Sequence, residues 1–284
     1  MSAAALADLR VCGLSGHSSL RQSMHLHYRQ YGSGPVLILL HGLFGSLNNW
    51  HSHALAFADR FTVFAVDQRN HGASPHDPVS SYPAMAEDLR EFMDVHGIDE
   101  AFLLGHSMGG KTVMQFAGMY PKRAGALVVV DIAPRRYPPR HEEILNALMS
   151  VDPRDFATRE EIDRAMAPII EKPAARRFLT TNLVRDAEGR FAWRMNVPVL
   201  IASYEQLGAE IKLAAPYPGP ALYMRGEFSS FLLPDDEEDI RRLFPAAEFV
   251  TIPGAGHWVP ADSPRSFQES VFAFLEDVQR RDPA

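Results

Sequence analysis

A chain of 284 residues suits two average domains or one large α/β domain carrying an insertion. Its 46% apolar and 22% charged content is that of a soluble globular protein and excludes collagen, coiled coil or global disorder. The net charge of −7 excludes a nucleic-acid backbone or an anionic membrane as the main partner, and a lone cysteine, Cys12, makes neither an internal disulfide nor a thiolate zinc site.

Residues 1–20 are small, Ser-rich and poor in acid, and read as a frayed N-terminal arm. A transit peptide is the alternative, so the expected location is cytoplasmic, or organellar if the arm is a targeting signal. Beyond it, short apolar runs recur at 36–40, 61–66, 101–104, 126–130, 220–224 and 248–252. Continuous rather than alternating apolarity marks strands covered on both faces, as in a mostly parallel sheet flanked by helices. Segments of helical period lie between them at 84–96, 109–120, 235–243 and 264–280. No run approaches the roughly 18 apolar residues of a membrane span. The alternation is interrupted once. Residues 134–215 hold no comparable strand run and read as helices over 141–149, 158–170, 173–183 and 203–213, broken by Pro153, Pro168, Pro173 and Pro198. The expectation is therefore a core of 21–133 and 216–284 with a helical cap, 134–215, inserted after the strand that ends at Asp131.

Residues 105–110 read GHSMGG, directly after one strand run and before a helical pattern. Strand, sharp turn and helix are the context in which G-x-S-x-G forms a nucleophile elbow, with Ser107 projected from the sheet and the helix N-terminus aimed at the reacting centre. The Met108 N–H is then one oxyanion donor. The strand 36–40 runs into His41-Gly42-Leu43, and the Leu43 N–H is the favoured second donor over Phe44. His41 reads as a hydrogen-bonding residue at the strand end.

A serine hydroxyl needs a base. Of 12 histidines, His257 lies in the Gly-rich PGAGHW loop between the last strand run and the final helix, where a triad base belongs. His106 adjoins the serine but should point away from it. A metal reading of His25/His27, His51/His53, His71 and His76 lacks a carboxylate pattern with zinc spacing. For the acid, Asp131 ends the ALVVVD strand run, and ligand sites in open parallel sheets gather at strand carboxyl ends. Asp67 precedes the serine and, with Arg69 and Asn70, reads as the tie of a turn. After the 220–224 run this chain has Arg225-Gly226-Glu227-Phe228-Ser229. Ser229 is expected to add a neutral hydrogen bond to the imidazole, and Glu227 is the rival acid.

With these residues in place the chain resembles the α/β-hydrolase superfamily, and within it the YbfF-type bacterial esterases and their mitochondrial abhydrolase-domain relatives. The resemblance rests on HGLFGS (41–46), VDQRNHGASPHDP (66–78), SYPAMAEDL (81–89), GHSMGGK (105–111), VVDIAP (129–134), TNLVRDAEGRFAWRMNV (181–197) and GAGHWV (254–259). It implies an α/β-hydrolase fold and a serine esterase acting on carboxylic esters or acyl thioesters, with no metal or cofactor. It also implies a cap over the site and the acid on Asp131. A C–C hydrolase or lyase on the same triad, and a non-catalytic receptor on the same fold, are the competing readings. Serine in place of aspartate at the elbow argues against an epoxide hydrolase or a dehalogenase. In the cap, Ile144, Leu145, Leu148, Met149, Phe178, Leu179 and Trp193 are candidates to roof an acyl pocket, and Arg135, Arg136 and Arg140 to meet an anionic group.

Overall fold

The computed structural model describes residues 23–281. The arm read over 1–20 and Cys12 therefore lie outside the described residues.

The apolar runs become strands: β2 (Val36–Leu40), β3 (Thr62–Val66), β4 (Ala101–His106), β5 (Ala124–Val130), β8 (Ala221–Gly226) and β9 (Ala247–Ile252). They are joined at one edge by β1 (Tyr28–Tyr31) and supplemented by a separate hairpin of β6 (Leu183–Arg185) and β7 (Phe191–Trp193). Among the described residues the main sheet has seven strands in the order β1-β3-β2-β4-β5-β8-β9. Only β1 is antiparallel to its neighbour; every other pairing is parallel.

Continuous apolarity has the expected cause. In β2, Leu37 and Leu39 pack on the face covered by α1 (His51–Phe57) and α10 (Pro264–Arg281), through Phe57, Phe267 and Val271. Ile38 and Leu40 pack on the opposite face, covered by α2 (Tyr82–Val95), α3 (Met108–Met119) and α9 (Glu237–Leu243). Burying the sheet on both faces needs apolar residues at every position rather than every second one. β1 escaped that pattern because YRQY is an edge strand, exposed along most of its length.

Between β5 and β8 the chain forms α4 (Glu142–Ser150), α5 (Arg159–Met166), α6 (Pro173–Thr180), the β6–β7 hairpin, α7 (Val197–Ala202) and α8 (Tyr204–Leu207). Two sequence expectations are corrected here. The segment is not wholly helical, because three-residue strands joined through Asp186–Arg190 carry too little periodicity to show. The helix read over 203–213 ends at Leu207, and Pro198 stands in the first turn of α7, where its missing N–H costs nothing, rather than breaking a helix.

Candidate active site

Parallel pairing puts the carboxyl ends of neighbouring strands side by side. Leu40 of β2 pairs with Gly105 of β4, and His106 of β4 with Val130 of β5, so the 41–43 turn, Ser107 and Asp131 leave the sheet at one edge. The ladder continues past the strands: Ser107 N–H donates to Val130 O (3.0 Å), Asp131 N–H to Met224 O (2.7 Å) and Glu227 N–H to Ile252 O (3.1 Å).

Ser107 sits between β4 and α3 with φ 52° and ψ −115°, and its carbonyl accepts the first helical N–H, from Lys111 (3.1 Å). Such a sharp reversal requires bare backbone around it. A Cβ on Gly105 would stand 2.2 Å from the Gly109 carbonyl, and one on Gly109 would stand 2.3 Å from Leu40 O. These two glycines let helix, elbow and strand approach closely.

Asp131 also has φ 52°, which turns its fully buried carboxylate across the strand ends. One oxygen accepts the Gly226 N–H (3.1 Å), and the other meets His257 Nδ1 (2.7 Å) and the Ser229 hydroxyl. The expectation for Ser229 is thereby corrected: its hydroxyl donates to the carboxylate, not to the imidazole. Glu227 is no rival acid, since its carboxylate accepts the Gly254 N–H (2.8 Å) and braces the loop that carries His257. Burial pushes Asp131 up to about 6, against the pull of the Ser229 and Gly226 hydrogen bonds. Burial, with His141 and Arg140 close by, pulls His257 down to about 3, so the imidazole is neutral at neutral pH.

The His257 ring is held at its face and at Nδ1, and its backbone at the carbonyl. Phe231 stacks on the ring with centroids 3.7 Å apart, Asp131 holds Nδ1, and His106 Nε2 meets the His257 carbonyl at 2.8 Å. His106, predicted only to turn away from the serine, thus anchors the loop that carries His257.

Of the two amides weighed for the 41–44 turn, Phe44 N–H is taken by His71 Nε2 (3.2 Å), which leaves Leu43 as the candidate beside Met108. Met108 opens α3, where helix geometry gives the N–H no partner within the helix. His41 bridges Gly42 O (2.8 Å) and the Gln68 N–H (3.1 Å), a tie at the strand end as expected. Asp67 accepts the Leu47 and Ala73 N–H groups (2.7 and 2.9 Å) and meets His27, so it ties the turn. Of the other histidines weighed as ligands, His51 meets Tyr31, His53 meets Gln268 and His76 meets Arg194 O.

Two cavities open at Ser107. The larger, about 520 Å³, is lined by His257 together with Phe44, Trp50, Ile144, Phe178 and Trp258, and its lining contains no Lys, Arg, Asp or Glu. The smaller, about 300 Å³, is lined by Tyr82, Met108, Lys111, Arg136, Tyr137 and Arg140, among others. Of the residues expected to roof a pocket, Ile144 and Phe178 do so. Leu148 and Leu179 are buried in the core cluster, Leu145 and Trp193 pack against it, and Met149 is exposed. Of the three arginines, Arg136 and Arg140 line the smaller cavity, whereas Arg135 is paired with Asp236 at 2.7 Å.

A serine on a strand-to-helix elbow, lining one cavity with an imidazole held by a buried carboxylate at the rim of a parallel sheet, defines a hydrolase of the α/β class. The chain belongs to the α/β-hydrolase fold family, whose model matches residues 35–264. It is 40% identical over 250 residues to the mouse (Mus musculus) sn-1-specific diacylglycerol lipase ABHD11, covering 85% of this chain and 81% of that one. It is 39% identical over 249 residues to esterase YbfF of Escherichia coli K12, covering 87% and 95%. A solved structure of a marine microorganism esterase superposes with a TM-score of 0.87 at 40% identity, covering 89% of this chain and 100% of that one. These relatives place the enzyme among the esterases and lipases of the family.

Proposed function

We propose that the enzyme cleaves carboxylic esters through an acyl-enzyme on Ser107. The observation that carries this reading is the 2.7 Å contact between His257 Nδ1 and the buried Asp131 carboxylate, on the same cavity wall as Ser107. Neutral His257 takes the Ser107 proton as Oγ attacks the ester carbonyl carbon. Asp131 keeps the proton on Nδ1, so Nε2 is the basic nitrogen, and its charge steadies the imidazolium that forms. The Leu43 and Met108 N–H groups hold the oxyanion. Collapse of the tetrahedral intermediate breaks the carbon–oxygen bond, and the departing alcohol takes the proton from His257. Water then enters by the same steps in reverse roles and releases the acid.

The charge-free larger cavity suits an acyl chain, and the smaller one the alcohol. An acyl thioester fits the same chemistry, with Arg136 and Arg140 at the leaving-group side. A p-nitrophenyl ester series run beside an acyl-CoA series separates the two and sets the chain length. Ser107→Ala is expected to lower ester turnover by about 10³-fold or more and to abolish fluorophosphonate labelling, because triad members act as a unit. Near-normal turnover in that variant, or a wild type that neither labels nor hydrolyses any ester, would remove the reading.

A further inference from the structure

Three residues line both cavities: Leu43, Ser107 and His141. The first two have roles in the proposed chemistry. His141, immediately before α4, has none, yet it lines both cavities.

The protonation of that ring follows from a count of lone pairs. The Tyr204 hydroxyl oxygen accepts two backbone N–H groups, from Arg140 (3.1 Å) and His141 (3.0 Å), and lies 2.7 Å from His141 Nδ1. A phenol has one proton to give and two acceptor sites. With both sites occupied, its own proton is directed at Nδ1, which must then be the acceptor. A neutral imidazole that accepts at Nδ1 carries its hydrogen on Nε2. Burial and the Arg140 charge pull the ring's protonation below the ordinary histidine range, which keeps it neutral. Phe44 and Phe231 flank the ring, with centroids 6.0 and 6.5 Å away, and limit its rotation.

We propose that His141 is a specificity-determining residue: its Nε2–H, oriented by Tyr204, donates to an oxygen on the alcohol portion of the substrate. The inference rests on the acyl-transfer reading of Ser107, and it assigns to His141 the reading of an oxygen on the alcohol side of the ester. A polar donor left unpaired in a cavity disfavours a substrate that lacks the matching oxygen. An all-hydrocarbon alcohol is therefore the poorer substrate.

The test compares 2-hydroxyethyl octanoate with propyl octanoate, which have the same number of non-hydrogen atoms and differ in one terminal oxygen. The wild type is expected to favour the hydroxyethyl ester in kcat/KM by about tenfold or more, mostly through KM. His141→Phe should bring the two esters to within about twofold by loss on the hydroxyethyl ester. His141→Gln, which keeps an N–H donor, should restore part of the preference. Tyr204→Phe should weaken it, because the ring is then free to take either tautomer. Fluorophosphonate titration of each variant counts the folded sites, so a loss of fold is not read as a loss of recognition. A wild type that hydrolyses both esters equally, or a preference that persists in His141→Phe, overturns the proposal while leaving the serine-hydrolase reading intact; a wild type inert to both esters and to the fluorophosphonate removes that reading instead.

Discussion

Ser107 and Asp131 both sit at φ 52°, a region that non-glycine residues seldom adopt and that the surrounding structure must hold in place. For Asp131 the conformation aims one carboxylate at three donors, and these are of unequal weight. His257 depends on it for tautomer and charge, so Asp131→Asn is expected to lower kcat by about 10²- to 10⁴-fold. Ser229 only shares in stabilising the carboxylate, so Ser229→Ala should cost at most about tenfold. Its more informative effect is on pH. The proposed mechanism needs the carboxylate ionised, and removing a hydrogen bond to the charged form raises the Asp131 pKa further above its ordinary range. The acid limb of the kcat/KM profile should therefore move to higher pH, by about one unit for a hydrogen bond of about 1.4 kcal/mol. A limb that stays in place, or a Ser229→Ala loss exceeding that of Asp131→Asn, would mean that the serine acts elsewhere. Glu227→Gln keeps an oxygen for the Gly254 N–H and should change little.

At the scale of elements, the site depends on backbones that touch. A Cβ on Gly226, at the end of β8, would stand 2.1 Å from Gly256 O and 2.7 Å from Ala255 O, in the loop that carries His257. Gly226→Ala is therefore expected to displace that loop and lower kcat/KM by on the order of 10²-fold, since small errors in placing a catalytic group cost that much. A variant with wild-type kcat/KM would show that the loop yields without moving the base. These contacts also explain what was legible in the sequence. Apolar runs followed by Ser107, Asp131 and a Gly-rich loop gave away the strand ends, because a doubly covered strand and a sharp turn each leave a local signature. Contacts made across the fold leave none. Nothing in GEFSS indicates that Ser229 serves Asp131 rather than His257, nothing in GHS that His106 anchors the His257 carbonyl, and nothing in RHEEI that Tyr204, 63 residues on, fixes the His141 ring. The missed β1 and the β6–β7 hairpin failed for a different reason: they are too short or too exposed to show an apolar period.

In the whole molecule, the segment between β5 and β8 must be held in register with the sheet, and Lys111 is one of the residues that link the two, with Tyr82, whose hydroxyl donates to Leu207 O, and Asn182, whose amide donates to Phe44 O. Lys111 stands in the first turn of α3, four residues after Ser107, and is almost wholly buried. Its ammonium reaches Arg135 O (2.8 Å), near the start of the segment, and Ala209 O (2.5 Å), near its end, while lying over the Tyr137 ring at 4.8 Å. Tyr137 N–H to Gly208 O (2.8 Å) and Ile211 N–H to Pro134 O (2.7 Å) close the same junction. Lys111→Met keeps the length of the side chain but orphans the carbonyls, so it is expected to destabilise the fold by about 2–4 kcal/mol and to expose the 134–140 stretch to proteolysis. The pH dependence distinguishes the roles of charge and hydrogen bonding. Burial, together with Arg135 and Arg136, pulls the folded pKa down to about 7, whereas an unfolded lysine keeps its proton to about 10.4. Between those values the unfolded chain binds the extra proton, so stability rises with pH in the wild type by an amount that Lys111→Met cannot show. Denaturant unfolding at pH 7 and pH 9 should find the wild type's advantage over the variant larger at pH 9. An advantage that shrinks with rising pH would mean that the carbonyls hold the ammonium strongly enough to raise its folded pKa, and that the charge itself clamps the segment to the nucleophile helix.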